Sequence, residues 1–205
     1  MSQNSYLKSL ASSRERGVSL IIVLIVLAIV SLLGIAGIQV STMSERSARN
    51  DRDQQIAWQA AEAALLDAEL DIIDPAISTR NLIFANGEEV AFQNGCGTSG
   101  NSKGLCALVS AGKPAWLTVD FTTAGAGATT TEYGTFTGRT FSAGTAGVQP
   151  ARAPRYVIEP ILDYNGGGES RNLSNSKPRY VYRVTAIGYG PRPDIQAVLQ
   201  MSFRN

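Results

Sequence analysis

With 205 residues the chain has room for one globular domain plus an attached segment. Its net charge of +1, from 18 basic and 17 acidic residues, lacks the basic footprint of a nucleic-acid-binding protein, and having no histidine it lacks the commonest general base and metal ligand. The charge is also unevenly placed: residues 1–17 hold Lys8, Arg14 and Arg16 against Glu15, which leaves 15 basic and 16 acidic residues for the remainder.

From Val18 to Val40 the sequence is uncharged and rich in Ile, Leu and Val, long enough to cross the ~30 Å hydrocarbon layer as a helix. Basic residues precede it and the large polar part follows, so the positive-inside bias puts the N-terminus in the cytoplasm and the body outside. Three readings of this N-terminus are open. A cleaved secretory signal would have an apolar core of about 7–15 residues and a small-residue cleavage site. This run is longer, and "STMSERSARN" after it has no A-x-A pattern. An uncleaved anchor is the second reading. The third is a cut before the apolar helix, immediately after Gly17.

On the third reading, "RERGVSLIIVLIVLAIV", residues 14–30, resembles the class III signal of type IV prepilins and pseudopilins. The resemblance implies that an inner-membrane prepilin peptidase cleaves after Gly17 and methylates the new amine, on Val18. Most pilins carry a glutamate at the fifth position after the cut, where it is thought to neutralise a neighbouring subunit's amine. This chain has Ile22 there. PilX-type minor pilins and the equivalent secretion pseudopilin also lack the acid, and both are associated with a filament tip. The physics agrees: an ammonium left unpaired inside an apolar bundle costs on the order of 3–5 kcal/mol. The bland alternative is that Ile22 is one more apolar residue of a span.

After the span, "SERSARNDRDQQIAWQAAEAALLDAELDIIDP" keeps strong helix formers and has no proline before Pro75. Trp58, Ala61, Leu65, Ala68 and Ile72 form one apolar stripe at helical spacing, with Glu62, Asp67, Glu69 and Asp71 largely off it. The pattern predicts a single helix from Val18 to Ile73, about 84 Å at 1.5 Å per residue. Gly34 and Gly37 are its weak points, at roughly 1 kcal/mol each against alanine, and suit either a bend or close helix packing. Trp58, Gln59, Ala60, Ala61, Glu62, Ala63, Ala64 and Leu65 spell "WQAAEAAL", similar to the signature that follows the span in PilX-type minor pilins.

Beyond Pro75, "NLIFANGEEVAF" has an Asn-Gly pair between apolar runs and reads as a hairpin. In an extracytoplasmic body, Cys96 and Cys106 read as a disulfide closing a loop of about 11 residues, worth roughly 3 kcal/mol in the chain-entropy model. Two cysteines without histidine do not make a zinc site, and a catalytic thiol would want a histidine partner. Residues 122–154, rich in Thr, Gly and Ala, read as a long surface loop with room for an edge strand. Gly125 and Gly127 lack the rest of any phosphate-loop pattern.

"RYVIEPIL", "RYVYRVTAIGYG" and "IQAVLQMSF" read as strands, and their short connections imply an antiparallel sheet that the long helix covers. In the second, Val181, Arg183 and Thr185 alternate with Tyr182, Val184 and Ala186, as in a sheet with one covered face. "YRVTAIGYG" with "AVLQ" also resembles the terminal strand pair of PilX-type proteins. Residues 163–169, with Asp163, Asn165 and Glu169, partly echo a calcium loop, but a turn between strands is the better reading.

The expectation is an α+β type IV pilin fold without metal or cofactor and without enzymatic residues. Residues 1–17 form the cleaved leader, 18–44 the membrane and filament-core half of the helix, 45–75 its amphipathic half, and 76–205 a periplasmic head. The resemblance implies a minor pilin that primes pilus assembly and sits at the tip, passing through the inner membrane. Its implied partners are other minor pilins, a large tip adhesin, the prepilin peptidase and the pilus assembly machinery, in a system serving adhesion and twitching motility. A secretion pseudopilin and a plain anchored periplasmic binding domain are the alternatives.

Overall fold

No proline interrupts the sequence before Pro75, so nothing breaks the helical hydrogen-bond ladder until the chain turns at residues 74–78. The computed structural model describes residues 18–163 and 179–204, and one helix, α1, occupies Val18–Ile73, passing through Gly34 and Gly37 unbroken. The calcium reading of residues 163–169 lies, apart from Asp163, outside the described residues.

The chain divides into two compact units, Met1–Arg49 and Asn50–Asn205. In the first, residues 18–49 are helical and exposed throughout, and the exposure of the Ile, Leu and Val side chains runs from 51% at Ile29 to 67% at Leu32. A helix apolar on every side at this length is suited to lipid or to packing among other helices. The polar exceptions are satisfied locally: Ser31 donates to Leu27 O at 2.8 Å and Thr42 to Gln39 O at 2.9 Å. The helix is long and apolar enough to cross a membrane.

In the second unit the later turns of α1 lie on a four-stranded antiparallel sheet in the order β1 (Thr131–Glu132), β2 (Arg155–Leu162), β3 (Tyr180–Tyr189), β4 (Gln196–Arg204). The α+β arrangement, the three long strands and an edge strand within residues 122–154 all match the sequence reading. Tyr156 and Ile158 of β2, Tyr180, Tyr182, Val184 and Ala186 of β3, and Met201 and Phe203 of β4 share the core with Ala64, Ala68 and Ile72 of α1. Toward one end, Ile195, Ala197 and Leu199 meet Ala57 and Ala61.

The buried face of α1 differs from the predicted stripe. It consists of Ala57, Ala60, Ala61, Ala64, Asp67, Ala68, Asp71 and Ile72, while Trp58 is half exposed and Leu65 half buried. Gly188 explains the choice of alanine. A Cβ placed there would stand 2.1 Å from Ala57 O and 2.3 Å from Ala61 N, so helix and strand backbones are in direct contact and only the smallest side chains fit. Bulky Trp58 and Leu65 are displaced to the flanks. Asp67 and Asp71 fall on the seam because partners distant in sequence receive them there.

The predicted hairpin is also replaced. Asn81–Asn86 form a short helix, α2, and Gly87, at φ 63°, caps it: Glu88 N–H donates to Ile83 O and Gly87 N–H to Phe84 O. Ile83 and Phe84 enter the core, Phe84 edge-on to Tyr182 at 5.1 Å. An Asn-Gly pair ends a helix as readily as it turns a hairpin, and this burial decides between them.

The alternation in β3 holds over its first half. Farther on, both faces are covered, and in β2 the residues from Arg155 to Pro160 are all buried. Val157 packs against Cys96, Cys106 and Ala115, with Trp116, Val119 and Phe121 around them.

Gly188→Ala should destabilise the head by about 3 kcal/mol through forced separation of α1 from β3. Urea denaturation of the full chain in detergent, followed by near-ultraviolet circular dichroism, reads this directly. A change under about 0.5 kcal/mol would show the two backbones free to part.

Candidate functional site

Apart from Gly17 and the two cysteines, the residues singled out in the sequence sort along α1. Gly17 lies outside the described residues. Val18 is the first residue of α1, 65% exposed, and Ile22 lies one turn on, also exposed. Both belong to the uncharged, largely apolar run from Val18 to Met43.

The "WQAAEAAL" segment splits into two faces. Ala60, Ala61 and Ala64 are buried on the sheet, Ala63 and Leu65 are half buried, and Trp58, Gln59 and Glu62 are exposed. On the exposed face Trp58 Nε1–H donates to Glu62 Oε1 at 2.9 Å, an i, i+4 contact that holds the indole against the helix. The alanines are accounted for by packing, and the Trp58–Glu62 pair is left facing outward.

Where α1 ends, the structure places a site that periodicity did not reveal. Asp71 and Arg80 are both buried and form an ion pair. Arg80 Nε–H reaches both Asp71 oxygens, at 3.0 and 2.9 Å, and a second guanidinium nitrogen also donates to Asp71. Ser78 Oγ and the Tyr156 hydroxyl donate to the same carboxylate at 2.7 and 2.9 Å. The remaining Arg80 N–H groups go to Asn101 O, Lys103 O and Thr131 Oγ1, and the guanidinium lies 3.6 Å above the Phe136 ring. Burial, reinforced by the neighbouring Asp71 charge, pushes the Tyr156 phenol well above its ordinary range.

One turn earlier, Asp67 holds the 133–139 loop across the helix by accepting from Gly134 N–H at 2.8 Å and from the Thr137 hydroxyl. Burial raises its carboxyl above the ordinary 3.8. The bonds from Thr137 and Gly134 and the charge of Arg139 oppose that rise, while Asp71 adds to it. The sequence carried one signal for this pair: two aspartates four apart repel on a bare helix, so each needs its own donors.

The disulfide is present between Cys96 and Cys106 as expected, both buried. At the sheet edge Arg155 is held by Glu132, by Thr123 O at 2.8 Å and by Thr130 Oγ1 at 3.1 Å, which fastens the Thr/Gly-rich stretch to β2.

Compared with known proteins, residues 85–205 match the family model described as "Type IV pilus assembly protein PilX C-term", and residues 16–66 match the one described as "PilX N-terminal". No curated protein and no solved structure matches.

Replacing one member of the buried pair, Asp71→Leu or Arg80→Met, should cost about 3–5 kcal/mol, because each leaves an uncompensated charge. The double replacement should cost less than the sum, so a denaturation cycle that came out additive would count against the pairing.

Asp67 yields a pH dependence of definite sign. Its folded-state pKa is raised, so its contribution is most favourable in acid and declines as pH rises from below 3.8 through the folded value. The stability of Asp67→Asn relative to wild type should therefore increase between about pH 3 and pH 7, with denaturation at each pH as the readout. A constant difference would show that burial does not govern this carboxyl.

Proposed function

Because the chain belongs to the PilX family of type IV pilus assembly proteins, we propose that it is a minor pilin that primes assembly together with other minor pilins and stays at the pilus tip. In this reading residues 1–17 are a leader removed by the prepilin peptidase and the Val18 amine is methylated. Residues 18–44 enter the inner membrane and then the filament core, 45–75 form the amphipathic half of the helix, and 76–205 form the periplasmic head.

The observation that carries the reading is the exposed apolar surface from Val18 to Met43, preceded by the basic–glycine join and with Ile22 where most pilins carry an acid. Fully burying one Leu, Ile or Val is worth about 1.5–3 kcal/mol, so this helix cannot stay in water once it leaves the bilayer. Neighbouring helices are the alternative solvent, and Gly34 and Gly37, where an added Cβ would meet nothing within 4 Å beyond the helix's own adjoining turns among the described residues, permit their close approach.

Ile22 bears on position. In a subunit packed below others, an acid here would answer a neighbour's amine, and its absence leaves that charge buried and unpaired at a cost on the order of 3–5 kcal/mol. A subunit at the leading end has no such amine to meet. The tip is therefore the place where Ile22 is tolerated, and a large adhesin beyond it is the partner that position would present. The work is packing and binding rather than turnover.

Intact-mass analysis of the protein from membranes and from sheared fibres should give a chain beginning at methylated Val18, and a mature chain beginning at Met1 would remove the basis of the reading. Ile22→Glu should then raise the number of copies per fibre several-fold, counted by quantitative mass spectrometry. Unchanged copy number and position would show that the missing acid does not set location.

A further inference from the structure

Arg80 finishes on the loop that the disulfide closes. Its buried guanidinium donates to two main-chain oxygens inside the ring between the cysteines, Asn101 O at 3.2 Å and Lys103 O at 2.6 Å. The same ring is docked on the sheet: Cys106 N–H donates to Ile158 O and Ile158 N–H to Gly104 O, both at 2.9 Å, and Thr131 Oγ1 donates to Lys103 O at 2.9 Å. Cys96 sits at φ 71°, a left-handed conformation that costs a non-glycine residue free energy and needs an outside constraint to persist. The bond to Cys106 supplies that constraint. Opening the ring would leave the two carbonyls held only through Thr131 and the bonds to Ile158, and any movement of them would leave Arg80 N–H groups buried without partners.

We propose that the Cys96–Cys106 bond is a redox-set latch for the end of α1. Formed, it keeps the Asn101 and Lys103 carbonyls on Arg80, and Arg80 in turn keeps Asp71, the last buried acid of α1, fixed to β2 through Tyr156. Reduced, it releases residues 71–80 and the ring while β3 and β4 stay paired. The latch concerns the head alone and does not rest on the pilus reading.

The latch also has a place in a sequence of reactions. Two thiols lose two protons and two electrons as the sulfur–sulfur bond forms, and a donor disulfide, on a protein or a small molecule, accepts them through exchange and becomes two thiols. Both cysteines are buried in a cluster with Ala115 and Val157, against which Trp116, Val119 and Phe121 pack. Exchange at a buried sulfur needs access, so the dithiol is oxidised before residues 115–121 close over it, and the end of α1 is clamped only afterwards.

The test is hydrogen exchange by mass spectrometry on the full chain in detergent, oxidised, reduced, and as Cys96→Ser with Cys106→Ser. In the reduced chain and the double variant, exchange at residues 68–82 should rise about 30-fold or more while residues 181–187 stay within about threefold. Arg80→Lys cannot span both the carboxylate and the two carbonyls, so in that variant reduction should add less than about threefold at 68–82. Unchanged exchange at 68–82 would overturn the proposal. So would equal acceleration at 181–187, which would make the bond a staple of the whole head, or a full reduction effect persisting in Arg80→Lys.

Discussion

The head is organised around a carboxylate and a guanidinium taken out of water at the point where α1 ends. Removing two such charges from solvent costs several kcal/mol per ion unless hydrogen bonds replace the lost hydration. Here the replacement is thorough: Asp71 accepts from Ser78, Tyr156 and Arg80, while Arg80 also reaches Asn101, Lys103 and Thr131. Those groups come from the turn after α1, β2, the disulfide ring and β1, and none can move without leaving a buried charge short of a partner. Such a pair adds little net stability over a well-packed apolar core, so its role here is to tie the end of α1 and the turn after it, which lie outside the sheet, to the disulfide ring and the β1–β2 edge.

A second constraint is the approach of α1 to β3. With Gly188 against the helix backbone, the seam admits alanine, and the run of alanines in "WQAAEAAL" follows from that contact rather than from helix propensity alone. The alanines and the exposed pair Trp58 and Glu62 thus answer different demands within eight residues. The first set fastens helix to sheet, and the second leaves an indole on the open side of the helix.

The sequence disclosed what local pattern governs. An unbroken apolar run set the start of α1 and Pro75 its end, and β-branched and aromatic runs marked β2, β3 and β4 within a residue or two. It did not disclose the burial of Asp67 and Asp71, because period alone assigns charges to the wet side. The donors that overturn this lie outside the helix: Gly134 and Thr137 for Asp67, 67 and 70 residues on, and Ser78, Arg80 and Tyr156 for Asp71, 7, 9 and 85 residues on. Asn86-Gly87 was ambiguous for a related reason: the dipeptide permits two backbone turns, and the choice rests on Ile83 and Phe84 reaching a core built largely by later strands. The apolar surface around Ile22 was legible as a run of letters, since it rests on local sequence and needs no partner distant in the chain to form.

The two units draw their stability from different sources. Residues 50–204 contain their own core, disulfide and buried ion pairs, so a change at Asp71, Arg80 or Gly188 alters an equilibrium internal to the head. Residues 18–49 have no such partners: their hydrogen bonds are helical and local, and their apolar side chains face whatever surrounds them. Such a helix is suited to a bilayer or to neighbouring helices, whose apolar surroundings strengthen the backbone hydrogen bonds that water would compete for. On the proposed reading, a substitution at Ile22 would be nearly silent in the folding of the head and would act on the transfer of the helix from lipid to fibre. The fold separates these demands along a single helix, so on that reading position in an assembly would change through residue 22 while the core of the head stays as it is.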